Sequence, residues 1–217
     1  MTIERLDDGR VRLRPPLTDD DVRGLSAGDA VLVSGTVIGA RDAAHKRMAE
    51  LLDRGEPLPF DPQGALVYYV GPTPERPGHV IGAAGPTTAS RMDRYTPRLL
   101  REGVKAMMGK GGRTAAIQEE LRRHTAVYLA ALGGGGALAA QHVTAQRILA
   151  FDDLGPEAIR EIELRDFPAW VVDDCEGQDL YARSMQPWRR NDLLPKGLWS
   201  PQDDAARAEA DGALGGG

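Results

Sequence analysis

Gly28-Asp29-Ala30-Val31-Leu32-Val33-Ser34-Gly35-Thr36, followed by the run from Arg41 to Arg54, decides the fold class of this 217-residue chain. Gly28-Asp29 turns into Ala30–Val33, whose apolar and β-branched residues suit a buried strand. Ser34-Gly35-Thr36 is expected to interrupt that strand. From Arg41 onward Ala44, Met48, Leu51 and Leu52 recur at spacings of three and four, which predicts an amphipathic helix closed by Gly55. A strand that hands over to a helix within a few residues is the signature of an α/β unit, and the rest of the chain repeats it.

Upstream, Thr18-Asp19-Asp20-Asp21 has the form of a capping box, so a short helix to about Leu25 follows. Downstream, Ala65–Val70 and His79–Ile81 read as strands separated by the proline- and glycine-rich segment Gly71–Gly78, an arrangement expected to be a long-looped hairpin. Thr96-Pro97 can open a helix carrying Leu99, Leu100 and Val104. Thr114–Arg123 reads as helix, Ala126–Leu132 as strand, and Ala137–Gln146 as an Ala-rich helix after the Gly133–Gly136 tract. Ile148–Phe151 and Ala169–Val172 are further strand candidates around the charged segment Pro156–Glu163. The expectation is a mixed α/β domain over residues 1–181 and a tail over 182–217 that is partly disordered or lies on a partner.

Composition narrows the function classes. Net charge is −5 with basic residues scattered among acidic ones, which argues against a nucleic-acid footprint. The single cysteine, Cys175, cannot form an internal bridge or hold a metal cluster alone. Iron–sulfur or zinc chemistry would therefore come from another chain. The first eight residues lack the basic and apolar regions of a secretory signal, and Ala126–Ala140 falls short of the roughly 18 apolar residues of a membrane helix. A cytoplasmic protein without membrane contact is the expectation.

Three places combine a strand end, small residues and a cation: Ser34-Gly35 with Gly39-Ala40-Arg41-Asp42-Ala43-Ala44-His45, then Gly85-Pro86-Thr87-Thr88-Ala89-Ser90-Arg91-Met92-Asp93, then Gly109-Lys110-Gly111-Gly112. The second follows the apolar run His79–Ala84 and reads as strand, tight turn and helix start. Small residues let a ligand approach the backbone, a guanidinium clamps a carboxylate through two parallel hydrogen bonds, and a lysine adds a point charge. Each residue also has a plain structural use. Arg41 and Arg91 would serve as solvated helix starts, Thr87 or Thr88 as a cap, and His45, on the same helix face as Arg41, as a packed ring. Yet a cation at a helix N-terminus opposes the dipole by several tenths of a kcal/mol, and three such placements call for a bound anion. Thr87 becomes a proton acceptor only in strong positive potential, which Arg91 and Lys110 could supply.

Other motifs fall away. Gly109-Lys110-Gly111 lacks the Ser or Thr and the earlier glycine of a P-loop, and Leu138 stands where the Gly133–Gly136 tract would need the third glycine of a dinucleotide fingerprint. His45, His79, His124 and His142 have no metal-ligand spacing. Asp173-Asp174 and Glu176 read as a solvated turn before Gly177.

The segments around Arg41, Thr87 and Lys110 resemble, in order and spacing, the C-terminal domain or β subunit of iron–sulfur-dependent class I fumarases and L-tartrate dehydratases. Leu25–Asp29, Phe151-Asp152-Asp153-Leu154-Gly155 and Asp166-Phe167-Pro168 extend the likeness over about residues 15 to 182, while His142 and the segment after Tyr181 depart from the family pattern. The resemblance implies a swivelling β/β/α domain, a mixed sheet with flanking helices, and a hydro-lyase reaction on a dicarboxylate such as fumarate or malate. It implies a [4Fe–4S] cluster carried by a partner α subunit, an α2β2 assembly, and activity only when the two are paired. By the same carry-over, Arg41 and Arg91 match substrate-carboxylate arginines, Lys110 a substrate-binding lysine and Thr87 the proposed base, with Thr88 and His45 beside them. An L-tartrate dehydratase β subunit and a non-catalytic anion-binding or assembly module are the alternatives.

Overall fold

Val31, Val33 and Val37 point into one core while Ile38 and Ala40 face another, and this alternation along one strand sets the architecture. A computed structural model describes residues 2–188. In chain order its elements are β1 (Ile3–Arg5), β2 (Val11–Leu13), α1 (Asp19–Arg23), β3 (Ala30–Gly39), α2 (Asp42–Asp53), β4 (Leu66–Tyr68), α3 (Thr96–Arg101), β5 (Ala106–Gly109), α4 (Ala115–His124), β6 (Val127–Ala131), α5 (Gly136–Ala140), β7 (Val143–Ala150), β8 (Ile159–Asp173) and α6 (Leu180–Met185). Short 3-10 turns cover Ala89–Met92, Asp152–Glu157 and Gln186–Trp188.

The eight strands form a mixed sheet in the order β1-β2-β3-β4-β5-β6-β8-β7, and β3 also pairs antiparallel with β8. That extra pairing closes β3, β4, β5, β6 and β8 into a barrel-like ring. The mixed sheet with flanking helices is as expected from the alternating pattern. Leu66, Tyr68, Ala106, Met108, Val127, Leu129, Leu164 and Val171 fill the inner core. Val67, Met107 and Tyr128 point the other way and pack with Met48, Leu99 and Leu121 from α2, α3 and α4. Strands β4 to β6 are covered on both faces, which is why they read as unbroken apolar runs.

Several expectations fall on solid ground. Thr18 and Asp21 make the reciprocal capping box of α1, the Asp21 N–H reaching the Thr18 hydroxyl at 3.2 Å and the Thr18 N–H reaching the Asp21 carboxylate at 2.8 Å. The helix from Arg41 to Arg54 is α2, with Ala44 and Met48 buried.

Four local expectations are corrected. Ser34-Gly35-Thr36 does not end the strand: Gly35, at φ +101°, absorbs a bulge and β3 runs on to Gly39. Asp166 faces that bulge at φ +47°, its N–H donating to the Ser34 hydroxyl at 2.9 Å. No hairpin joins 65–70 to 79–81, because β4 is already paired on both edges, in parallel, by β3 and β5. The helix after the glycine tract stops at Ala140, and the β-branched residues Val143, Thr144 and Ile148 join β7 against β8. Finally, β8 spans fifteen residues, because β3 borders it on one side and β6 and β7 divide the other.

By internal contacts the chain divides into residues 1–181 and residues 182–217. Most of the expected tail lies outside the described residues. No helix among the described residues is long and apolar enough to cross a membrane.

Candidate functional site

The parallel strands β3 to β6 end on one side of the ring, and the three cation-bearing segments follow the ends of β3 and β5 and the crossover after β4. The crevice beyond the carboxyl ends of parallel strands is where α/β sheets bind ligands.

Arg41 is the N-cap residue of α2, and its side chain is a quarter exposed. Its Nε donates to Asp42 at 3.1 Å, and its Nη2 lies 3.5 Å from Glu157. Arg91, on the 3-10 turn, donates Nε and Nη2 to the two oxygens of the same Asp42 at 2.8 and 2.7 Å. The two guanidiniums are therefore brought together on one carboxylate. The anion that the helix-start cations call for is supplied by the chain itself, from the first turn of α2. A Cβ on Gly71 would lie 2.6 Å from Arg41 Cδ, so the missing side chain there is what lets Arg41 pass.

Thr87, Thr88 and Lys110 are joined through the backbone. Thr87 N–H donates to Tyr69 O at 2.7 Å, Lys110 N–H to Thr87 O at 3.0 Å and Ala89 N–H to Lys110 O at 2.9 Å. The segment before Thr87 is loop, with only an isolated bridge between Val70 and Pro86, and the segment after it is a single 3-10 turn. The expected strand, turn and helix start is thus corrected: short bridges to the β4 and β5 ends hold this peptide instead. Close packing against those ends needs Gly109, whose Cβ would meet Tyr69 Cδ2 at 2.9 Å and Thr87 O at 3.1 Å. Thr88 is the N-cap residue of the 3-10 turn, but its hydroxyl makes no cap hydrogen bond. Thr87 is 7 % exposed, and among the described residues its hydroxyl has no hydrogen-bond partner. Lys110 is exposed, with its Cδ 3.4 Å from where a Cβ on Gly133 would stand.

His45 is buried, with its ring edge-on to Tyr69 at a centroid distance of 5.3 Å. Burial pushes its imidazole down to about 4, so it is neutral at pH 7. Nδ1 lies 2.9 Å from the Arg41 carbonyl, which can only accept, so Nδ1 carries the proton. Nε2 is then a buried acceptor with no partner among the described residues.

Arg113 has no counterpart among the residues the sequence singles out. Its side chain is fully buried and donates to Asp93 at 2.7 Å, Tyr69 Oη at 3.2 Å and Thr96 Oγ1 at 2.6 Å. It sits between the Tyr69 and Tyr128 rings, 5.6 and 5.2 Å from their centroids. Asp93 also accepts from Thr114 N–H, so this ion pair ties the end of the Thr87 peptide to the segment after Lys110.

Asp173 and Asp174 are not a solvated turn: both are buried. Asp174 accepts from the N–H groups of Ala27, Glu176 and Gln178, closing the turn after β8. Gln118 donates to Asp173 at 3.1 Å and to Asp179 at 2.9 Å. Burial and the neighbouring Asp179 push the Asp173 carboxyl up to about 7 from its ordinary 3.8. The folded state therefore keeps a proton there that the unfolded chain gives up. The stability this confers is complete below pH 3.8 and is lost as pH rises through about 7. Asp173→Asn should remove the loss, so its stability relative to the parent chain rises between pH 5 and pH 8 when urea midpoints are compared.

A cavity of about 600 Å³, lined by Thr73, Arg76, Val80, Ile81, Gln141 and Val143 among others, includes none of these site residues. Among the described residues no group of three or more His, Cys, Asp or Glu side chains is placed to hold a metal, and Cys175 is buried. The described residues do not fit a cluster-binding site.

A ring-closed mixed sheet with flanking helices, carrying paired guanidiniums, a threonine and a lysine beyond its strand ends, defines a barrel-like α/β domain. Its sequence matches the family model described as Fumarase C-terminus over residues 2–184, and the chain belongs to that family. It is 39 % identical over 160 residues to "Fumarate hydratase 2" of Leishmania major, covering 73 % of this chain and 28 % of that protein. It is 35 % identical over 176 residues to "Fumarate hydratase class I, aerobic" of Salmonella typhimurium, covering 79 % and 30 %. A Methanocaldococcus jannaschii protein, provisionally named L(+)-tartrate dehydratase subunit beta, is 36 % identical over 171 residues, covering 76 % of this chain and 88 % of that one. The chain thus spans under a third of the fumarate hydratases it matches.

Proposed function

We propose that this chain is the β subunit of a hydro-lyase that interconverts fumarate and malate, working with an α subunit that carries a [4Fe–4S] cluster, in an α2β2 assembly. The observation that carries the reading is the convergence of Arg41 and Arg91 on one carboxylate beside the Thr87–Lys110 lattice. Two forks that close on Asp42 are built to accept carboxylates, and a dicarboxylate offers two. Arg41 and Arg91 bind the substrate carboxylates, Lys110 adds charge, and Thr88 lines the approach. His45, buried under Arg41, acts by holding the Arg41 carbonyl and hence the start of α2. In dehydration Thr87 Oγ1, as the alkoxide, takes the proton from C3 while the C2–O bond breaks and the C2 hydroxyl leaves as hydroxide; passing that proton on to the hydroxide forms water and returns Thr87 to the alkoxide. Negative charge that builds on the neighbouring carboxylate is met by guanidinium donors already in place.

The match to an archaeal relative whose name is that of a beta subunit, over 88 % of that protein, supports a partner α subunit. So does an apolar patch, where Leu132, Leu138 and Trp170 line one small cavity while remaining 56, 48 and 43 % exposed.

Mixing the chain anaerobically with its α subunit should give turnover that is followed by fumarate absorbance. Inactivity toward every dicarboxylate would overturn the reading. A tartrate dehydratase β subunit is the second reading, favoured by the 88 % coverage of the separate-chain archaeal relative. Faster turnover of L-tartrate than of malate would select it.

A further inference from the structure

We propose that Asp42 is a positioning residue, which grips the guanidiniums of Arg41 and Arg91 by their Nε edges and so presents their outer edges to the dicarboxylate. This rests on reading the two arginines as the carboxylate clamp.

The atoms involved make the case. Asp42 Oδ2 accepts from Arg41 Nε and Arg91 Nη2, and Oδ1 accepts from Arg91 Nε. A guanidinium carries five N–H donors in a rigid plane, so fixing the Nε side fixes the direction of the rest. What remains on Arg91 is the end-on pair formed by Nη1 and the second Nη2 hydrogen, the edge that matches a carboxylate. Arg41 is held a second time, because Glu157 lies 3.5 Å from its Nη2 while accepting from Ala43 N–H at 2.7 Å. Its Nη1 stands 3.2 Å from the position of a Cβ on Gly71, over bare backbone.

Asp42 has a simpler use as an acid in the first turn of a helix. That use does not require a two-point contact with a residue 49 positions away in the chain. Partial burial opposes ionisation of Asp42, yet its own backbone N–H and the two guanidiniums hold the carboxyl below the usual range, so it is charged at neutral pH.

The charge balance sharpens the inference. Two guanidiniums against Asp42 and Glu157 leave this cluster neutral, so it selects by donor geometry rather than by excess positive charge. Removing the Asp42 charge should strengthen attraction for any anion while releasing the forks from their orientation. Affinity and turnover should then move in opposite directions, which loss of a purely structural ion pair would not produce.

Two measurements test this. In the isolated full chain, side-chain ¹⁵N NMR should show Arg41 and Arg91 Nε–H signals protected from exchange and unmoved by succinate, which shifts their Nη signals instead. Asp42→Asn should lose the protection and bind succinate at least as tightly. In the assembled enzyme Asp42→Asn should lower kcat by about 10- to 100-fold, with KM unchanged or reduced and a thermal midpoint close to the parent. Asp42→Glu keeps the charge but moves the carboxylate by one methylene, and it should not restore kcat. Unchanged kcat in the Asn variant, full restoration by Glu, or Nε–H signals equally protected without Asp42 would each overturn the proposal. An assembled enzyme that turns over no dicarboxylate removes the hydro-lyase reading alone, because the succinate titration still decides the role of Asp42.

Discussion

Thr87→Ala in the assembled enzyme is expected to lower kcat by about 10²- to 10⁴-fold, the range for loss of a proton-transfer group, while leaving KM for the dicarboxylate nearly unchanged. The position suits a clean test. Thr87 is held by its backbone, through its N–H to Tyr69 and its carbonyl to Lys110, and neither bond involves the side chain. Its hydroxyl has no partner among the described residues, so truncation strands no buried donor or acceptor. The folded state should therefore tolerate alanine, and a fall in rate reports on chemistry rather than on unfolding. Thr87→Ser keeps the hydroxyl and should recover a large part of the rate. Steady-state kinetics of the parent and both variants, with thermal melts as control, measures this. An alanine variant at full rate would leave the non-catalytic anion-binding module as the reading to pursue.

Local signals in the sequence carried much of this arrangement. The capping box at Thr18 and Asp21 and the periodicity of Ala44 and Met48 need only residues three or four positions apart, and both are present as read. The cations at strand ends were visible for the same reason, since Gly39-Ala40-Arg41 and Gly109-Lys110 are contiguous. What joins them was not. Asp42 reads as one more first-turn acid until Arg91 folds onto it, and β3 reads as an interrupted strand until β8 supplies a bulged partner more than a hundred residues away. Asp173 and Asp174 look like surface turn residues because their burial comes from α4 and the Ala27 segment, which a local window does not contain. In each case the missed fact is a long-range pairing, and composition around the residue held no trace of it.

Arg113 is the extreme of that kind, and its removal should have the largest effect on stability. Arg113→Met keeps much of the side-chain length and discards the charge and all its donors. Asp93, itself only 12 % exposed, would be left with the Thr114 N–H as its remaining named partner, and Tyr69 Oη and Thr96 Oγ1 would lose their contacts to the guanidinium. Breaking one side of a buried pair typically costs about 3–5 kcal/mol, because the other charge stays uncompensated. For a domain of this size each kcal/mol lowers Tm by roughly 2–4 °C, so a fall of about 6–20 °C is expected. Arg113→Lys retains a charge but not the planar fork that meets three partners at once, and its loss should fall between the parent and Met. Adding Asp93→Asn to Arg113→Met should recover part of the stability, since the stranded carboxylate is then gone. Denaturant unfolding of the parent, Arg113→Met, Asp93→Asn and the double variant in a double-mutant cycle gives the coupling directly. A loss below about 1 kcal/mol for Arg113→Met, the range of an exposed pair, would show that this ion pair does not hold the Thr87 peptide against the Lys110 segment.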